Sequence, residues 1–121
     1  IAPDESRPIG HTADNVAAVK KRLNERWPET IRGTSIGHLG DNHQHFLLTD
    51  GSSDHDEQRK VIDIIYDELK PYRGSISAEH GIGLEKRAYL NVTRNETEVA
   101  LMRSLKQALD PQGLLNPGRI F

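Results

Sequence analysis

Gly37-His38-Leu39-Gly40-Asp41-Asn42-His43-Gln44-His45 is the stretch on which the reading of this chain turns. Asp41-Asn42 can form a two-residue turn, because Asp and Asn tolerate the positive φ angles that tight hairpins demand. Folding there sets Gly40 opposite His43, Leu39 opposite Gln44 and His38 opposite His45. Opposed residues on antiparallel strands share a face, with Cβ atoms roughly 5 Å apart. His43, two residues before His45, lies on that face too. One metal ion could then be shared by two imidazoles. A solvated hairpin tip rich in histidine fits the same residues, and the hairpin alone leaves both readings open.

Working outward, residues 31–38 and 43–49 are the hairpin strands. Ile36, Phe46 and Leu48 are their apolar residues, and Leu47 makes the second strand apolar without a break. That suits a strand buried on both faces or covered by a partner. Upstream, Pro3 and Pro8 keep residues 1–8 extended. Asp14 can cap a helix running to about Arg26, with Val16, Val19 and Leu23 on one face and Pro28 ending it. Downstream, residues 50–53 form a turn. Asp54 caps a second helix, with Glu57 in capping-box spacing. Val61, Ile62, Ile65 and Leu69 form its stripe, and Pro71 and Gly74 stop it.

Residues 74–78 then read as a fourth strand. The order β-α-β-β-α-β implies an α+β fold: a ferredoxin-like, split βαβ antiparallel sheet with both helices on one face. In an ideal version, strand four starts at the hairpin end of the sheet and runs away from it. Glu79 would then lie far from His38 unless the strand starts later or the site lies on the sheet face. After Gly83 comes a short helical turn over 84–90. Asn95, with Glu98 at the third position, caps a third helix whose stripe is Val99, Met102, Leu105 and Leu109. Asp110-Pro111-Gln112-Gly113 is a turn. The remaining tail, Leu114 to Phe121, is apolar and needs something to pack on.

The 121 residues suffice for one domain with a modest core. A net charge of −2 and few aromatic residues give no footprint for nucleic acid or a membrane surface. No apolar run is long enough to span a bilayer and no signal-peptide pattern opens the chain. With no cysteine there is neither a disulfide framework nor thiolate chemistry. The sequons at Asn91 and Asn95 lack a secretory context. The start at Ile1, without Met, leads us to expect a piece of something longer. A soluble protein of the cytoplasm or mitochondrial matrix is the expected setting.

Ser75-Ile76-Ser77-Ala78-Glu79-His80-Gly81-Ile82-Gly83 adds a carboxylate and an imidazole, followed by two glycines that let backbone approach a ligand closely. Two His and one Glu form a common catalytic metal set with room for water or substrate. His11 and His55 read as surface residues, the run Glu85-Lys86-Arg87 as a solvated helix face, and Asp41 as a turn former.

Three motifs carry a family resemblance. Gly37-His38-Leu39-Gly40-Asp41 followed by His45 resembles G-H-x-G-D-x-N-x-H. Ser77-Ala78-Glu79-His80-Gly81-Ile82-Gly83 is similar to S-x-E-H-G-I-G. Asp110-Pro111 through Leu115-Asn116-Pro117-Gly118 resembles D-P-x-x-x-L-N-P-G. Together, from residue 37 to 118, they resemble the C-terminal cap region of the FAD-linked oxidases, a family that includes D-lactate dehydrogenase, the glycolate oxidase flavin subunit and D-2-hydroxyglutarate dehydrogenase.

The resemblance implies that residues 1–121 are a C-terminal substrate- and metal-binding cap domain, with the flavin-binding domain in cis and outside this chain. It implies a small 2-hydroxy acid as substrate, FAD as cofactor, and His38, His45 and Glu79 as ligands of a divalent metal, zinc first and manganese or iron as alternatives. It implies that His80 is the catalytic base beside the flavin. Asn116 would return the chain to the flavin domain, where Gly81 and Gly83 allow close approach to the cofactor. The electron acceptor, self-association and the particular acid stay open.

Two departures stand out. The motif's Asn is His43 here, which either adds a ligand or replaces an amide. Leu47 stands where the 2-hydroxyglutarate enzymes tend to carry a substrate-binding Asn, which favours a small monocarboxylate. On this reading the chain alone oxidises nothing. The competing reading is a stand-alone ferredoxin-like module that binds a metal or small ligand and regulates a partner.

Overall fold

The computed structural model describes residues 2–28, 32–38, 40–49 and 54–121. The expected turn at 50–53 lies outside them. The sheet has three strands in the order β1-β3-β2, where β1 is Asp4–Ser6, β2 is Arg32–His38 and β3 is His43–Thr49. Both pairings are antiparallel. The α+β class expected from the order of elements is what forms. The expected strand at 74–78 shrinks to a single antiparallel bridge between Ser6 and Ser75, with N–H···O distances of 3.0 and 2.7 Å. Beyond it, the amides of 78–80 turn to a carboxylate rather than to a ladder. Gly74 permits the bridge, because a Cβ there would sit 2.3 Å from the Ser6 carbonyl oxygen.

α1 spans Thr12–Arg26, beginning two residues before the expected cap. Asp14 lies in its first turn, where a carboxylate favours the positive end of the helix dipole. α2 spans His55–Leu69, and Asp54 Oδ1 accepts the Asp56 N–H at 2.9 Å. The helices run antiparallel: Asn15 Nδ2 donates to the Glu68 carbonyl and Trp27 Nε1 to Glu57 Oε2, both at 2.9 Å. Val19 and Leu23 of α1 and Val61, Ile65 and Leu69 of α2 form the core with Phe46 of β3 and Ile76. Phe46 points to the helices, so by the two-residue period of a strand His43, His45 and Leu47 point to the other face. That alternation places the histidines away from the core.

A 3₁₀ turn, Arg87–Tyr89, leads into the short α3, Leu90–Thr93. α4, Glu96–Leu109, has the expected capping box: Asn95 Oδ1 accepts the Glu98 N–H at 2.9 Å and Glu98 Oε2 the Asn95 N–H at 2.8 Å. Its leucine stripe is not core. None of its residues is buried, and Leu105 and Leu109 are 54% and 81% exposed. Its apolar contact is confined to the half-buried Val99 and Met102, and the capping box supports its first turn.

Candidate metal and proton-transfer site

In the hairpin, His38 pairs with His43, Gly37 with Gln44 and Ile36 with His45. The expected His38–His45 pairing is therefore off by two residues, with β2 ending at His38 and β3 starting at His43, so the strands do not run up to Asp41-Asn42. A two-residue type I′ turn needs positive φ at both positions, and of these two only Asn42 has it, at 58°. Asp41 instead accepts the His43 N–H through Oδ1 at 3.3 Å. A shift by an even number of residues keeps each side chain on its face. His38, His43 and His45 thus still share one side of the sheet.

The three rings line up with a fourth. Ring centroids are 5.5 Å apart for His38 and His43, 4.2 Å for His43 and His45, and 5.3 Å for His45 and His80. Glu79 meets the middle of this row. Its Oε1 lies 3.2 Å from His45 Nε2, 3.5 Å from His43 Nε2 and 3.9 Å from His80 Nε2. His43, His45 and Glu79 each offer one donor atom, all within 4.8 Å of one another. His38 falls in a neighbouring group with Asp41 and His43, and its ring is exposed. Of the three ligands implied by the motif, His45 and Glu79 are adjacent, and His38 stands one ring further out.

Asp4 brings Glu79 to the sheet. It lies opposite His45 in the β1–β3 register and is fully buried. Its Oδ2 accepts the N–H groups of Ala78 and Glu79 at 2.8 Å and of His80 at 3.1 Å. Its Oδ1 pairs with the Lys86 ammonium and lies 3.3 Å from His80 Nδ1. Burial by itself would raise the Asp4 carboxyl, but the Lys86 bond and the Glu79 and His80 amides outweigh it and hold the group well below the usual carboxylate range. Asp4 therefore stays charged. With Nδ1 beside Asp4, His80 turns Nε2 toward Glu79.

Neither Asp4 nor Lys86 was legible as a site residue. Lys86 is 8% exposed, which corrects the reading of Glu85-Lys86-Arg87 as a wholly solvated face. A lone acid in an extended opening segment carries no signal until the register of β1 on β3 is known. His11 and His55 are exposed as expected, His11 stacking on Tyr72 at 5.0 Å.

Gly81 and Gly83 have φ of +74° and +56°, the left-handed region that favours glycine. With His80, Tyr66 and Arg119 they line a cleft of ≈ 510 Å³. The Ile120 N–H donates to the Gly83 carbonyl at 3.1 Å, returning the tail to this cleft. Asn116 is exposed in a turn with φ of +48° and accepts the Arg119 N–H through its backbone carbonyl at 3.2 Å.

The chain is 37% identical over 114 residues to a mitochondrial D-2-hydroxyglutarate dehydrogenase of Danio rerio, covering 94% of this chain and 21% of the relative. It is 40% identical over 122 residues to a D-2-hydroxyglutarate dehydrogenase of Stutzerimonas stutzeri, covering 93% and 26%. It is 35% identical over 122 residues to a mitochondrial D-lactate dehydrogenase [cytochrome] of Kluyveromyces lactis, covering 98% and 20%. The chain thus spans a fifth to a quarter of the length of these relatives. The profile of the FAD linked oxidases, C-terminal domain, matches residues 1–120, and the chain belongs to that family.

Proposed function

We propose that this chain supplies the metal-binding and proton-accepting part of an FAD-dependent dehydrogenase that converts a small D-2-hydroxy acid to the 2-oxo acid. The observation that carries the reading is Glu79 Oε1, set 3.2 and 3.5 Å from two imidazole nitrogens with His80 beside it. The donor set suits a divalent transition metal, and a buried nitrogen that makes no hydrogen bond, His43 Nε2, faces it. His45 and Glu79, with His38 turned inward from the exposed end of the row, would hold the ion. A bound ion, zinc first and manganese or iron as alternatives, would polarise the hydroxyl and carboxylate of a 2-hydroxy acid and lower the hydroxyl pKa. A flavin, held mainly by the domain in cis, would supply the hydride acceptor.

The remaining work falls to side chains of this chain. His80 Nε2 accepts the hydroxyl proton, and Asp4 at Nδ1 holds the ring in the orientation that presents it. Lys86 keeps Asp4 charged, so a carboxylate acceptor stays in place behind the base. Gly81 and Gly83 keep the backbone in front of His80 free of side chains, and Asn116 turns the tail toward the flavin domain. Leu47 follows His45 on the same face and is 41% exposed. An apolar group there cannot pair with a second carboxylate, so the substrate is a monocarboxylate of lactate or glycolate size.

The test uses the full-length polypeptide that carries these residues. Anaerobic mixing with D-lactate, glycolate or D-2-hydroxyglutarate should bleach the flavin absorbance, fastest with a monocarboxylate, and prior treatment with a chelator should slow it. Bleaching fastest with D-2-hydroxyglutarate would reverse the substrate assignment. No bleaching with any of the acids would overturn the function.

A further inference from the structure

We infer that His43 binds the metal directly, through Nε2, as a ligand alongside His45 and Glu79; the inference rests on the metal reading above. His43 is 4% exposed, and its Nε2 is buried without a hydrogen-bond partner. A buried polar atom left without a hydrogen bond, with only the Glu79 carboxylate at 3.5 Å, calls for an occupant between them. Its ring sits in the row between those of His38 and His45 and against β1, where Ser6 lies opposite it in the register. It is therefore held in place before any ligand arrives.

The spacing agrees with coordination. Donors at the 2.0–2.1 Å bond lengths of zinc to imidazole and carboxylate lie about 3.3–3.4 Å apart at tetrahedral angles. Glu79 Oε1 is 3.2 Å from one Nε2 and 3.5 Å from the other. The two histidines are two residues apart on one strand, so sheet geometry sets their relation and no loop has to close. In the motif that this hairpin resembles, an Asn stands at position 43, and an amide is a poor metal donor beside an imidazole. The buried His43 imidazole beside that of His45 makes the set richer in nitrogen. That favours a borderline ion such as zinc or cobalt over manganese, which prefers oxygen.

The experiment titrates zinc alone, and then cobalt, into the metal-stripped full-length protein and its His43→Asn, His45→Asn and Glu79→Gln variants. His43→Asn should weaken zinc at least about 10-fold and lower its preference over manganese. It should also shift the visible cobalt bands, which report the donor set rather than the fold. In the unsubstituted protein, the His43 Nε2 resonance in a nitrogen-15 spectrum should move on zinc addition, a readout that does not depend on a variant folding. Zinc affinity lost in His45→Asn and Glu79→Gln but kept in His43→Asn, with an unmoved His43 resonance, would remove His43 and leave the metal reading standing. Affinity kept in all three variants would end both.

Discussion

Asp4 Oδ2 accepts the backbone N–H of Glu79 at 2.8 Å, across 75 residues of sequence. The first strand therefore places the carboxylate that faces His43 and His45. Three successive amides converge on the same oxygen, an anion-binding nest filled by the protein's own side chain. Since Lys86 occupies the other oxygen, Glu79 and His80 are set by one buried ion pair.

Asp4→Ala should destabilise the 121-residue chain by about 3–5 kcal/mol, because it leaves the Lys86 ammonium buried without its counter-charge. Urea denaturation measures this. Replacing both partners, as Asp4→Asn with Lys86→Met, should cost less than the sum of the single changes. Additive losses would show that the pair does not act as a unit.

The same carboxylate sets an acid limit. Its pKa in the folded chain lies below the ordinary 3.8, so its contribution is present above that value and is lost as pH falls through the folded pKa. The stability advantage of the native chain over Asp4→Asn should therefore be level from pH 7 to about 5 and decline below about pH 4. An advantage that vanished between pH 7 and 5 would point to histidine titration instead.

In the full-length enzyme, His80→Ala should lower kcat by on the order of 10²–10⁴, the usual worth of a general base, with flavin content unchanged. Stopped-flow reduction of the flavin measures the step directly. An unchanged rate would leave His80 a structural partner of Asp4.

Leu69 and Leu105 are both leucines on amphipathic helices, yet they should respond oppositely. Leu69 is fully buried, so Leu69→Ala should cost about 2–5 kcal/mol. Leu105 is 54% exposed, so Leu105→Ala should change the stability of this chain by no more than about 0.5 kcal/mol. Chemical denaturation of the two variants compares them.

Local chemistry determined what sequence alone could settle. Asn95 with Glu98, Asp54, Pro28 and Pro71 mark helix ends through bonds or clashes within four residues, and each acts where the sequence places it or within a residue or two. The common face of His38, His43 and His45 follows from the two-residue period of a strand, which survives the shift in register. Tertiary structure alone decided the rest. How far His38 stands from Glu79 depends on a hairpin connection that turns on the φ of Asp41 and Asn42. Asp4 and Lys86 become site residues only because β1 docks beside β3 and the 75–89 segment folds over it, contacts between residues up to 82 positions apart that leave no periodic trace. The leucines of α4 carry a core-like pattern without a core, because periodicity records that a face is apolar, and burial depends on what lies against it.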